Sequence, residues 1–148
     1  MKILVLTLLA VSLAAAASAE DRTGRLGAGL ELGEQNGLTA KYWTGPNQAI
    51  AGGLGVSDGD LSVHGEYMWH SWSIFPQPEK GSLAAHLSAG GRVRDDEFGL
   101  RTTAGVDYWL AGNPVELFFD AGPIIRFTPG TGADFTVALG VRAYFAKR

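Results

Sequence analysis

Phe135-Thr136-Val137-Ala138-Leu139-Gly140-Val141-Arg142-Ala143-Tyr144-Phe145 is the stretch that decides the fold. Phe135, Val137, Leu139, Val141, Ala143 and Phe145 share one parity, and Thr136, Ala138, Gly140, Arg142 and Tyr144 the other. Successive side chains of a strand point to opposite faces. The stretch therefore reads as a strand with one apolar face and one small or polar face.

Working back along the chain, the pattern repeats. Val115, Leu117, Phe119, Ala121, Ile125 and Phe127 alternate with Glu116, Phe118, Asp120, Gly122 and Arg126. Leu100, Thr102, Ala104, Val106, Tyr108 and Leu110 oppose Arg101, Thr103, Gly105, Asp107 and Trp109. Leu83 to Val93 sets leucine, alanine and valine against His86, Ser88, Gly90 and Arg92. Leu61, Val63, Tyr67 and Trp69 oppose Ser62, His64, Glu66, Met68 and His70. Ile50 to Val56, Leu38 to Tyr42 and Leu26 to Leu32 complete eight strand candidates, with Lys41, Trp43, Arg25 and Glu31 on the faces opposite their apolar residues. Between them lie turn-forming pieces such as Ser57-Asp58-Gly59-Asp60 and Thr128-Pro129-Gly130. Most links are short, so neighbouring strands pair antiparallel. Pro123 cannot donate to a ladder, which predicts a bulge or a strand end there.

Two closed forms suit eight amphipathic strands. A lipocalin-like soluble barrel keeps its apolar face inside, whereas a membrane barrel turns that face to lipid. The polar set decides between them. Arg25, Glu31, Lys41, Glu66, Arg92, Arg101, Asp107, Glu116, Asp120, Arg126 and Arg142 share their face with Gly and Ala. In a lumen these charges can pair, and small neighbours leave room for long side chains. On a soluble exterior nothing calls for so many small residues. Tyr42, Tyr67, Trp69, Tyr108 and Phe145 fall on the apolar face, mostly near segment ends, where interfacial aromatics belong. The reading is an all-β, eight-stranded, antiparallel up-and-down transmembrane barrel.

The compartment follows from the first residues. Lys2, the apolar run Ile3 to Leu13 and the site Ala17-Ser18-Ala19 make a secretory signal peptide over 1–19, too short to span a membrane as a helix. The barrel domain is then 20–148. The chain has 148 residues, a formal net charge of −3 and no cysteine, so it offers no basic patch for nucleic acid, no disulfide and no thiol chemistry.

Gly37-Leu38-Thr39-Ala40-Lys41-Tyr42-Trp43, Asn47-Gln48-Ala49-Ile50, Tyr67-Met68-Trp69-His70 and Gly140-Val141-Arg142-Ala143-Tyr144-Phe145 carry a resemblance. The chain resembles the small eight-stranded outer-membrane barrels of the OmpA and OmpX type. More narrowly, it resembles an uncharacterised bacterial family of such barrels. The resemblance implies the Gram-negative outer membrane as location, lipid as surrounding and the barrel-assembly machinery as a partner during biogenesis. It implies no activity. The ending also resembles the C-terminal aromatic signal of such barrels, although Ala146-Lys147-Arg148 follows Phe145.

The chemistry is sparse. His64 and His70 lie about 20 Å apart along one strand and cannot share an ion. Gly27-x-Gly29 and Gly52-Gly53-x-Gly55 lack the helix and lysine of nucleotide loops. His86-Leu87-Ser88, with Glu97 downstream, resembles the His-x-Ser arrangement of lipid A deacylases. Its parity places it with Arg92, away from lipid. The expectation is a non-enzymatic monomer without cofactor or metal. Its role is structural or one of weak surface contact through outer loops, Arg94-Asp95-Asp96-Glu97 being the most charged link. The alternatives are a narrow pore or transporter, and a lipid A-modifying enzyme using His86 and Ser88. One feature sits awkwardly. The longest link, Ser71 to Gly81, falls on the side of the termini, whereas long loops normally lie outside. That predicts a fourth strand running on past Trp72, or an unusual family.

Overall fold

The computed structural model describes residues 22–111 and 114–145. The expected signal peptide and the Ala146-Lys147-Arg148 tail lie outside these residues. Eight strands follow in order: β1 (Leu26–Gly33), β2 (Asn36–Trp43), β3 (Gln48–Ser57), β4 (Asp60–Ser71), β5 (Ser82–Arg94), β6 (Glu97–Trp109), β7 (Val115–Thr128) and β8 (Gly132–Tyr144). Each pairs antiparallel with the next, and β1 pairs with β8, so the sheet closes. The fold is an all-β up-and-down barrel.

Closure satisfies every ladder and leaves no free edge. It also turns parity into inside and outside. Leu30, Leu38 and Leu139 stand outward with 57%, 60% and 57% of their surface exposed. Glu31, Lys41 and Arg142, one or three residues further along the same strands, point inward at about 2% or less. An exterior of exposed Leu, Ile, Val and Phe around an interior of buried charge is the reverse of a soluble core.

Four hairpins mark one end, here called the rim; both described chain ends and the other three links mark the opposite end, the base. The rim turns are shorter than the sequence suggests, because the strands run further into them. Ser57 and Asp60 still pair, leaving only Asp58 and Gly59 between strands. Both have positive φ (50° and 82°), the backbone that a two-residue hairpin needs to follow the strand twist.

Two expectations about strand ends are corrected. β7 passes through Pro123 without a bulge: Arg101↔Ile124 and Ala104↔Ala121 keep one register on either side of it. Only the rungs at Thr102 and Thr103 are missing, which fits a residue without an N–H. The register shift of this pair lies instead at Phe98/Gly99. Second, β4 does not run on past Trp72. It ends at Ser71, and the following link is held by Gln77, whose Nε2 donates to the carbonyls of Trp72 and Leu83. Its Oε1 accepts from the Leu83 N–H at 2.8 Å. One side chain thus replaces the strand bonds that the link lacks.

Candidate functional site: the lumen and its two closures

An eight-stranded barrel has an interior just wide enough for side chains, so its contents define what it can do. Three charged tiers and an aromatic floor fill it, from rim to base.

At the rim, three guanidinium groups meet carboxylates from every hairpin. Arg92 on β5 pairs with Glu34 (2.8 Å), Glu97 (3.4 Å) and Asp134 (3.6 Å). Arg94 donates to Glu97 (2.8 Å) and Ser57 (3.0 Å) and lies 3.7 Å from Asp58. Arg126 pairs with Asp134 at 2.7 Å and reaches Glu97 at 3.9 Å. The Arg94-Asp95-Asp96-Glu97 turn divides its charges between this knot and the outside. Arg94 and Glu97 turn inward to this knot, and only Asp95 and Asp96 remain exposed.

In the middle tier His64 bridges two carboxylates, with Nε2 2.9 Å from Glu31 and Nδ1 2.7 Å from Glu66. Gln35 donates to Glu31 at 2.8 Å. Arg101 ties Glu66 (2.9 Å) to Asp120 (3.5 Å). Glycine makes this tier possible: a Cβ on Gly53 would collide with the Glu31 carboxylate and the His64 ring. The small residues of the polar face are the space that their neighbours' side chains occupy.

The lowest charged tier is fully buried. Lys41 donates to Glu116 at 3.0 Å and lies 2.7 Å from Nε2 of His70. Arg142 donates to the other Glu116 oxygen at 2.9 Å and to Thr39 Oγ1 through Nε and Nη2. Tyr144 O–H also donates to Glu116, at 3.2 Å. Asp107 lies 2.7 Å from His86 Nδ1 and 3.3 Å from His70 Nε2.

His70, His86 and Asp107 come from three adjacent strands and bring their ligand atoms within 4.8 Å of one another. Spacing along the chain could not reveal this grouping; inward parity plus strand register does. A metal at this group would have to displace the Lys41 ammonium, which lies 2.7 Å from Nε2 of His70.

Below this tier the interior changes character. Trp43, Trp72, Trp109 and Tyr144 form a buried aromatic floor with Met68, Ala49 and Ala84. Parity had placed Trp43 and Trp109 on the polar face, but nothing in the sequence marked them as a group.

Nine of the eleven charges singled out in the sequence are buried inside the wall: Glu31, Lys41, Glu66, Arg92, Arg101, Asp107, Glu116, Asp120 and Arg142. The other two sit at the ends. Arg126 is a rim residue with 31% of its side chain exposed. Arg25 precedes β1 and is half-buried, its guanidinium 5.7 Å from the Trp109 ring centre. His86 and Ser88 also point inward, and they do not act on each other. His86 is taken by Asp107, and Ser88 hydrogen-bonds to Thr103.

No family model and no curated protein matches the chain. A solved structure does, the N-terminal β-barrel domain of Pseudomonas aeruginosa OprF. The TM-score is 0.61 at 15% identity, over 85% of this chain and 100% of that domain. The likeness is one of fold.

Proposed function

We propose that the chain is an outer-membrane barrel with a structural role, its lumen closed by ion pairs, and that it catalyses nothing. One observation carries the reading: a continuous apolar exterior surrounds an interior in which charges are paired with one another. Lipid is the solvent that suits such an outside. The outer aromatics suit it too. Tyr42, Tyr67, Trp69 and Phe145 ring the base end, while Phe98, Phe127 and Phe135 ring the rim, all exposed. Two such bands match the two interfaces of a bilayer. The fold shared with an OprF domain supports the same location.

A closed interior argues against a pore. Glu116 alone binds Lys41, Arg142 and Tyr144, so an ion passing this tier would have to break contacts that have no water to replace them. The enzymatic alternative lacks a nucleophile with its base, since Ser88 is paired with Thr103 inside the wall. Surface contact is limited by area. The rim turns are short, with Asp58 to Asp60, Asp95, Asp96 and Thr128 to Thr131 exposed, so a partner would have to use several of them at once to approach the roughly 800 Å² per side of a stable protein interface. The protein is taken to act as a monomer inserted by the barrel-assembly machinery.

The test compares two adjacent residues of β8. Leu139 faces outward between Leu32 of β1 and Phe119 of β7; Ala138 faces inward. Leu139→Arg should lower folding stability in lipid vesicles by about 2–4 kcal/mol. Ala138→Ser should be nearly silent. Equal tolerance of the two would sink the membrane reading. Stable single-channel conductance, or fatty-acid release from lipopolysaccharide lost in Ser88→Ala, would replace the structural role with one of the alternatives.

A further inference from the structure

Strands β2, β4, β6 and β8 all run toward the base, and each ends with an aromatic residue turned inward: Trp43, Trp72 (one residue past β4), Trp109 and Tyr144. Trp43 lies 6.2 Å, ring centre to ring centre, from both Trp72 and Trp109. Trp109 stacks on Tyr144 at 4.4 Å. The side chain of Arg22 fills the slot between them. Its guanidinium carbon lies 4.0 Å from the Trp72 ring centre, 4.5 Å from that of Trp109 and 6.0 Å from that of Trp43, and the residue is 2% exposed.

We propose that this tryptophan slot is a guanidinium-binding site at the base of the barrel, which the chain fills with its own Arg22. The chemistry of the walls selects the ligand. Indole faces are electron-rich and attract cations. A guanidinium is planar and weakly hydrated, so it suits the slot between Trp72 and Trp109, whereas the Lys41 ammonium lies 4.6 Å from the Trp43 ring centre.

The arrangement is that of a host and a separable guest. Arg22 precedes the first strand and belongs to no ladder. It opens a turn: the Arg25 N–H donates to the Arg22 carbonyl at 3.0 Å, and Gly24 reverses the chain at φ +85°. Two backbone bonds moor that turn to the end of β2, Gly24 N–H to Trp43 O and Arg25 O from Trp43 N–H. Trp43 shares those bonds with the turn, and each wall also has an anchor of its own. Trp43 and Trp109 sit in strands, and Trp72 is fixed through its carbonyl by Gln77. Removing the arginine side chain therefore leaves the slot standing, and the guest class it accepts is a small guanidinium compound or an exposed arginine side chain. The inference does not depend on the membrane reading, because it concerns only the interior.

Arg22→Ala protein, refolded as the full chain in detergent micelles, tests it. Methylguanidinium is titrated at millimolar concentration while tryptophan emission is recorded, with sodium chloride at equal ionic strength as control. Heat-modifiable migration checks folding of each variant. Arg22→Ala should show a saturable response that sodium chloride does not produce and that wild type lacks. Adding Trp72→Ala should weaken half-saturation about tenfold or more, the scale of a desolvated cation–π contact. The same response in wild type, no response in Arg22→Ala, or equal binding without Trp72 would each overturn the site. Arg22→Gln provides a second, longer neutral side chain. If neither variant folds, Arg22 is a structural strut and the host–guest reading fails.

Discussion

The two ends of the lumen are closed by opposite means. At the rim Arg92, Arg94 and Arg126 are knotted to Glu34, Glu97, Asp134 and Asp58. Those carboxylates keep between 20% and 88% of their side chains exposed. At the base the closure is aromatic, with Trp43, Trp72, Trp109 and Tyr144 at 5% or less. Charge holds an end shut where water remains, because each pair is partly solvated and costs little to assemble. Apolar area holds an end shut by excluding water altogether. The buried ion pairs lie between the two, and the aromatic floor keeps water from them on one side. The rim should thus respond to salt, the base should not, and the middle should be the costliest place to remove a partner.

The middle gives the largest expected effect. Glu116→Ala removes the acceptor shared by Lys41, Arg142 and Tyr144. Lys41 then keeps His70, the face of Trp43 and a distant Asp107 oxygen at 3.9 Å, with no carboxylate in close contact. Stranding a buried partner typically costs about 3–5 kcal/mol. Denaturant unfolding in vesicles should show a loss of that size, partly recovered when Lys41→Met removes one stranded cation as well. The same logic separates two residues that the sequence treats alike. Asp120→Ala, which leaves Arg101 with Glu66 alone inside the wall, should cost more than Arg126→Ala at the rim. Equal losses would erase the distinction between middle and rim.

That distinction also shows what the sequence could say. Parity was legible because a strand has a period of two and each wall of this barrel faces a different medium. It assigned the correct face to Glu31, Lys41 and Arg142 and to the outward leucines without any knowledge of pairing. Height along the barrel was not legible. Arg126 has the parity of Asp120, but it sits six residues nearer the rim turn, a position fixed only by register. Grouping across strands was not legible either. His70 and His86 are direct cross-strand partners, sixteen residues apart in the chain. The aromatic floor was half visible: Trp43, Trp109 and Tyr144 broke the small-or-polar rule at strand ends, whereas Trp72 was read into a link. Pro123 was misread because an outward proline in a closed sheet loses a rung of hydrogen bonding without bending the strand.

At the base a milder substitution sharpens the comparison. Trp109→Phe keeps an aromatic ring against Tyr144 but leaves a small void where the indole was. A cavity of that size predicts a loss of about 1–2 kcal/mol. Because the closure is apolar, the loss should be the same in low and high salt. A loss that disappears at high salt would mean that the base, too, is held mainly by charge.

The smallest effect belongs to the rim, and it tests the other half of the comparison. Glu97 accepts from Arg94 at 2.8 Å and lies 3.4 Å from Arg92, with 24% of its side chain exposed. Glu97→Gln keeps the shape and removes the charge. Three features limit the cost. Glu34 still contacts both Arg92 and Arg94, water reaches the vacated position, and partly exposed pairs contribute less than about 1 kcal/mol. At roughly 1 M salt the Debye length falls to about 3 Å, so the small difference between variant and wild type should vanish there. The variant should also stay non-conducting in planar bilayers, because Arg101, Glu116 and the aromatic floor lie beneath the broken knot. A Glu97→Gln barrel that conducts would show that the rim alone is the gate and that the tiers below it leave a path for ions.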